Sequence, residues 1–73
     1  MQIFPNPTNN TLLFRNIPEN SAIVIIDLYG KRPKRMKSNC NELLVDISDM
    51  KKGLYMIKTF SQDYFLSELL IKE

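Results

Sequence analysis

The chain has 73 residues, with ten Lys and Arg against eight Asp and Glu, one Cys and no His. A chain of this length forms one domain at most and buries only about 60% of its unfolded surface, and a net charge of +2 indicates no particular partner. Without His, acid–base catalysis would fall to a carboxylate, Lys or Tyr shifted by burial, which so small a core hardly permits. The composition therefore argues against an enzyme, a cofactor and a metal site, because the lone Cys40 and the scattered carboxylates lack ligand spacing.

Three turn signals divide the chain into hydrophobic segments of strand length. They are Pro5-Asn6-Pro7, Asp27-Leu28-Tyr29-Gly30-Lys31 and Gly53-Leu54-Tyr55. Between them, apolar residues recur with a period of two, which predicts β-strands and leaves helix as the weaker alternative. Six or seven short strands at this spacing predict an all-β fold, an antiparallel β-sandwich.

The alternation also predicts which side chains face the core. In the strand from Ala22 to Leu28 both phases are apolar, so this strand is predicted to be central or covered on both sides. Tyr55 is predicted to be a core or corner residue. The last strand is predicted to run from about Tyr64 to Lys72. The other positions placed in core phase are Leu12, Phe14, Ile23, Ile25, Leu43, Val45, Ile47, Phe65, Leu69 and Ile71.

Two hairpins follow from the turn residues. Gly30 can adopt positive φ at no steric cost, so the middle signal predicts a hairpin at Tyr29 and Gly30. Asp27 has an alternative interpretation as a catalytic carboxylate, but an Asp entering a turn usually accepts a hydrogen bond from the backbone two residues on. Ser61-Gln62-Asp63 predicts a tight hairpin into the last strand. Gly53 predicts a bend before the strand that begins at Leu54.

A basic segment follows the middle turn and contains half of the cations of the chain. Its members are Lys31, Arg32, Lys34, Arg35 and Lys37, with a proline between them. One interpretation is a nucleic-acid or nuclear-localisation patch. The favoured interpretation is a short edge strand protected by charge and proline, because the interleaved aromatics of a nucleic-acid platform are missing. A third is a basic stripe that meets an anionic surface, such as anionic lipid.

The signals together resemble a known family. Phe4-Pro5-Asn6-Pro7-Thr8 followed by Leu12 and Phe14, then Ile23 to Lys31, Ile47 to Tyr55, and a closing strand ending Ile71-Lys72-Glu73, are similar to the C-terminal sorting domain of the type IX (Por) secretion system. The likeness covers essentially the whole chain and keeps the order and spacing of the family. It implies an immunoglobulin-like β-sandwich of about seven strands.

The resemblance also implies a function and partners. Residues 1–73 would be a single C-terminal domain cut from a larger secreted protein, following an N-terminal cargo domain. In the periplasm the folded domain would be recognised by shuttle proteins and an outer-membrane translocon of the type IX system. A sortase-like peptidase would then remove it, leaving the cargo at the cell surface or released. No nucleic acid is implied, and the basic segment would make transient contact with anionic outer-membrane components.

Carried over by position, the resemblance assigns sorting-motif residues. They are Pro5, Asn6, Pro7, Asp27, Leu28, Gly30, Lys31, Gly53, Tyr55, Leu70, Ile71 and Lys72. Recognition is predicted to use the last strand as an edge, where the backbone supplies affinity and alternate side chains supply selectivity. The side chains predicted to face the machinery are Leu66, Leu70 and Lys72.

A second function class remains open. The same sandwich would serve as an accessory module that binds carbohydrate or protein for a secreted enzyme. A carbohydrate platform needs exposed aromatic side chains. The chain has three Tyr, four Phe and no Trp, and most of these are predicted to lie in core phase, which favours the sorting role.

Overall fold

The computed structural model describes residues 1–5, 10–38 and 40–73, and these ranges contain seven β-strands. Within them, no helix is long and apolar enough to cross a membrane. The strands are β1 Gln2–Phe4, β2 Thr11–Arg15, β3 Ser21–Asp27, β4 Lys34–Ser38, β5 Glu42–Asp46, β6 Gly53–Ser61 and β7 Tyr64–Lys72. The predicted all-β class is confirmed, and β7 has the bounds that its sequence predicts.

The strands form two antiparallel sheets. One has three strands in the order β1-β2-β5, and the other has four in the order β4-β3-β6-β7. The chain changes sheet after β2, after β4 and again after β5. This is the connectivity of an immunoglobulin-like sandwich in which the fourth strand pairs with the third, as C′ does in variable-type domains.

The core lies between the two inner faces. β2 contributes Leu12 and Phe14, and β3 contributes Ile23 and Ile25, all without solvent exposure, because alternate residues of a strand point to the same side of the sheet. Each such side chain stabilises the fold by about 1.5 to 3 kcal/mol relative to an exposed position. The remaining buried members of this core are Ile17, Val45, Ile47, Met50, Tyr55, Ile57 and Leu70.

The facing of β7 corrects the sequence prediction. Leu70 is fully buried, whereas Phe65 is 66% exposed. The reason is the hairpin register: Ser61 pairs with Tyr64 across a two-residue turn, so every even-numbered residue of β7 shares a face with an odd-numbered residue of β6. The inward side of β6 is therefore continued by Leu66 and Leu70, and the opposite phase of β7 points outward.

The basic segment becomes an edge strand, as its favoured interpretation predicts. β4 lies at one end of the four-stranded sheet, and among the described residues it pairs with β3 alone. The Lys34 ammonium forms an ion pair with Asp49 at 3.1 Å, which ties this edge to the connection between β5 and β6. Charges on an exposed edge oppose pairing with the edges of other chains.

Candidate functional site

Three of the assigned motifs meet at one end of the four-stranded sheet. Asp27 pairs with Tyr55 on the neighbouring strand, and Tyr55 pairs in turn with Leu70. One residue further along, Leu54 pairs with Ile71. Residues that lie 28 positions apart in sequence, Asp27 and Tyr55, and 15 positions apart, Tyr55 and Leu70, are therefore neighbours in the sheet. We call this region the motif end, formed by residues 27–31, 51–55 and 70–72.

Asp27 organises the turn that forms the tip of the motif end. Its Oδ1 accepts hydrogen bonds from the backbone N–H of Tyr29 at 2.9 Å and of Lys31 at 2.8 Å. Gly30 adopts a φ of 84° and its N–H donates to the Asp27 carbonyl, a conformation that glycine reaches without steric cost. The structural role predicted for Asp27 is confirmed. The turn presents Leu28, which is 72% exposed, and Tyr29 to solvent.

Tyr55 anchors the second side of the motif end. Its ring is buried in the core, and its hydroxyl donates to the backbone carbonyl of Lys51. In the tyrosine corner of immunoglobulin-like sandwiches, the hydroxyl of a tyrosine near the start of the sixth strand forms a hydrogen bond with the backbone a few residues upstream. Gly53 precedes it with a φ of 147°, a region that favours glycine. This corner fixes the path by which the chain passes from one sheet to the other.

The terminal motif, residues 70–72, has a different pattern of burial from the one predicted. Leu70 is fully buried and Lys72 is only 8% exposed, with its Nζ donating to the Glu73 carbonyl oxygen at 3.0 Å. The hypothesis that Leu66, Leu70 and Lys72 face the machinery is therefore wrong for its two buried members. Ile71, from the opposite phase, is 40% exposed and is the side chain of this motif that solvent reaches.

The proline motif lies partly outside the residues that the structure describes. Pro5 follows β1 and is exposed, while Asn6 and Pro7 lie outside the described residues. Phe4 pairs with Leu13 close to the start of β2, and Thr11 pairs with Asp46, which leads into the connection to β6. This topology places the end of β1 at the same end of the sandwich as the motif end.

The cations of the basic segment lie on both faces of β4 and in the turn before it. Arg35 pairs with Val24 and Lys37 pairs with Ala22, which turns both cations away from the core. Lys34 has the opposite phase and is held by Asp49. Lys31 and Arg32 lie in the turn region before the strand and are exposed. The five cations therefore do not form one continuous surface.

Asp46 is the described carboxylate with a displaced pKa. The backbone N–H of Ser48 donates to its Oδ1 at 2.9 Å. This bond, the Ser48 hydroxyl and, more weakly, the charge of Lys34 hold the pKa of Asp46 below its usual value of 3.8. The carboxylate closes the turn that leads out of β5, so its role here is structural. Within the described ranges, no group of three or more His, Cys, Asp or Glu residues could hold a metal ion.

Sequence reasoning missed the aromatic residues of the surface. Phe60 is 42% exposed and pairs directly with Phe65 on the next strand. Phe4 and Tyr29 are exposed as well, so the prediction that most aromatic side chains lie in core phase is wrong. The two-residue hairpin at Gln62 and Asp63 contained the signal, because it determines the facing of β7 once the inward side of β6 is known.

These features define the class of the protein as an immunoglobulin-like β-sandwich whose sequence motifs converge on one end of a sheet. Comparison with protein families then identifies the family: a match to the secretion system C-terminal sorting domain, the Por secretion tail, covers residues 2–73. The chain belongs to this family, which consists of sorting signals of type IX secretion and is not a catalytic family. A comparison with curated proteins found no significant match.

Proposed function

We propose that residues 1–73 form one domain at the C-terminus of a larger secreted protein and direct that cargo across the outer membrane. The observation that carries the proposal is the family match over residues 2–73. The domain acts by being recognised and performs no reaction itself. Its partners are the periplasmic shuttle proteins and the translocon of the type IX system, followed by a surface peptidase that removes the domain and leaves the cargo anchored or released.

The geometry of the motif end supports this role. Asp27, Gly30 and Tyr55 are engaged in turn and corner hydrogen bonds, so they build the surface and do not contact a partner by themselves. Leu28, Leu54 and Ile71 are exposed apolar side chains that this framework holds in place. Recognition of the folded domain therefore depends on residues that three distant motifs position together.

The test is export of a reporter that carries this domain at its C-terminus. The reporter is expressed in a host with an intact type IX system and in one that lacks the translocon. We expect surface or secreted reporter only in the intact host. Periplasmic retention in both hosts, with the domain shown to be folded, contradicts the sorting role and favours the accessory binding module.

Leu28→Asp tests the motif end in the same assay. Leu28 is 72% exposed, so the substitution removes an apolar contact without opening a core cavity. We expect export to fall about tenfold, the effect of losing about 1.4 kcal/mol of binding free energy. The matched control is Leu44→Asp, since Leu44 is 68% exposed on the other sheet. Equal export of both variants and the unaltered domain would show that the motif end is not a contact surface.

A further inference from the structure

The outer face of the four-stranded sheet, the side turned away from the core, is largely apolar. Directly paired residues of antiparallel strands share a face, so the ladders identify its members. From the motif end along the strands, they are Leu54 and Ile71; Ile26, Met56 and Leu69; Arg35, Val24, Lys58 and Ser67; and Lys37, Ala22, Phe60 and Phe65. Strand spacing and rise give this face dimensions of roughly 15 by 20 Å.

Large exposed side chains of the outer face lie on both sides of the row that contains Lys58 and Ser67. Phe65 is 66% exposed, Leu69 48% and Phe60 42%. Contiguous apolar patches above a few hundred Å² mark interaction sites, in contrast to single exposed hydrophobic residues. β3 is apolar in both phases, a pattern typical of strands covered on both sides. The sheet therefore has the composition of a middle layer, with the core on one side and a binding partner on the other.

The charges of the outer face all have one sign. Arg35, Lys37 and Lys58 are the charged residues at its paired positions, and it includes no Asp or Glu. Lys58 lies in the interior of the face, between Met56 and Phe60 along its own strand. Covering this ammonium removes it from water, which is costly unless an acceptor or a carboxylate pairs with it. A complementary partner must therefore carry acidic groups within an apolar surface.

A shallow depression shows where one such group fits. Ala22 lies between Lys37 and Phe60 in the same cross-strand row, and its small side chain leaves a hollow. Arg35 and Val24 complete the lining on this side of the sheet. Two cations at the rim of a concave site favour a carboxylate-bearing side chain.

The observations favour a different protein as the occupant of the outer face over a second copy of this chain or a membrane. A second copy of this chain would place cations against cations without a carboxylate from either face, and like charges in an interface cost several kcal/mol. A membrane surface favours Trp and Tyr at the lipid boundary. The chain has no Trp, and no outward position of this sheet is a Tyr.

We infer that the outer face binds a partner protein through an apolar surface whose carboxylates pair with Lys58 and with the rim formed by Arg35 and Lys37. This inference rests on the proposed sorting function and makes the partner a component of the export machinery. The face is continuous with the motif end through the Leu54 and Ile71 pair. One partner can therefore contact both surfaces.

The test compares reporter fusions that carry substitutions on the two sheets. Phe65→Asp and Lys58→Glu alter the outer face, whereas Leu44→Asp and Arg15→Glu introduce the same acidic residues at exposed positions of the other sheet. We expect export to fall at least about tenfold for the first pair and to stay unchanged for the second. Lys58→Arg retains the charge and should retain export. The urea midpoint of each purified variant domain shows that it is folded.

The outcomes separate this inference from the proposed function. Normal export of Phe65→Asp and Lys58→Glu, in a host that exports the unaltered fusion, overturns the inference alone. Retention of the unaltered fusion in every host contradicts the sorting function, and the inference falls with it.

A photo-reactive p-benzoylphenylalanine at position 65 tests the class of the occupant. An adduct with an identified acidic protein, lost in Lys58→Glu and absent with the probe at position 44, supports the inference. An adduct between two copies of the domain overturns it in favour of self-association. Flotation of the domain with phosphatidylglycerol vesicles that depends on Phe65 overturns it in favour of a lipid surface.

Discussion

At the scale of single residues, Asp27 shows how one carboxylate organises the turn of the motif end. Two backbone N–H groups converge on its Oδ1. We expect Asp27→Ala to lower the free energy of unfolding by about 1 to 2 kcal/mol, since hydrogen bonds to a charged group are lost. Asp27→Asn keeps an acceptor oxygen and should retain most of this stability. Urea denaturation measures both variants, and an equal loss in the two would contradict the hydrogen-bonding role.

Asp46 provides a test by pH. Its folded-state pKa lies below the usual value because it accepts hydrogen bonds from Ser48. The associated stability is present above the unfolded pKa of about 3.9 and is lost as the pH falls through the lower folded value. Ser48→Ala removes the hydroxyl donor and should raise the pKa of Asp46 toward its usual range. Carboxyl chemical shifts followed during an acid titration report the change, and an unchanged or lower pKa would refute the assignment.

At the scale of the strand, β6 contains a hydroxyl that its surroundings do not satisfy. Thr59 is fully buried, and its Oγ1 has no hydrogen-bond partner among the described residues. Thr59→Val keeps the shape and removes the unpaired group, so we expect a gain of about 1 kcal/mol. For a domain of this size that corresponds to a rise in Tm of about 4 to 8 °C.

Ser21 is the control for this prediction. It is equally buried, but its Oγ donates to the Pro18 carbonyl. Ser21→Ala should therefore lower Tm by a similar amount, because it leaves an acceptor without its donor. Calorimetry of both variants decides the matter, and a lower Tm for Thr59→Val would show that the hydroxyl is satisfied in solution.

β7 shows how far sequence reasoning reaches at this scale. The period of two and the turn at Gln62 and Asp63 were sufficient to predict its bounds. Its facing was predicted wrongly because both phases are apolar, with Leu70 in one and Leu69 in the other, so alternation alone does not distinguish them. The register with β6, in which Tyr55 pairs with Leu70, determines which phase of β7 faces the core. For β3, also apolar in both phases, the prediction of a covered strand was less specific and agrees with its central place in the sheet.

The candidate site was predictable only where it depends on local sequence. The turn role of Asp27 follows from local chemistry, and the structure confirms it. The convergence of Asp27, Tyr55 and Leu70 depends on pairing between segments distant in sequence, which local patterns do not specify. The outer face depends in part on the register of β3 with β6, whereas the pairing of its exposed Phe60 and Phe65 follows from the local hairpin between β6 and β7.

At the scale of the whole molecule, stability is small compared with the contribution of one core residue. A domain of this size has an unfolding free energy of roughly 4 to 11 kcal/mol, and losing a fully buried Leu costs about 2 to 5 kcal/mol. Deleting the last five residues removes Leu70 together with the end of β7. We expect this truncation to abolish cooperative unfolding, whereas deleting Glu73 alone should leave it intact.

Circular dichroism during denaturation distinguishes these results. If the longer deletion retained a cooperative transition near that of the intact domain, β7 would not be part of the stable core. Loss of export on such a truncation would otherwise reflect unfolding as well as loss of the terminal motif. Substitutions of exposed side chains therefore test recognition more directly than deletions do.

The pairing of β6 with β7 has a consequence for protein synthesis. Tyr55 acquires its neighbour on β7 only when Leu70 has left the ribosome, and Gly53 acquires its partner on that strand only when Lys72 has done so. A nascent chain that stops early, or that loses this segment to a protease, leaves the motif end unassembled. If export requires this pairing, the signal would act as a proofreading step, because only polypeptides translated through to the last strand would be exported.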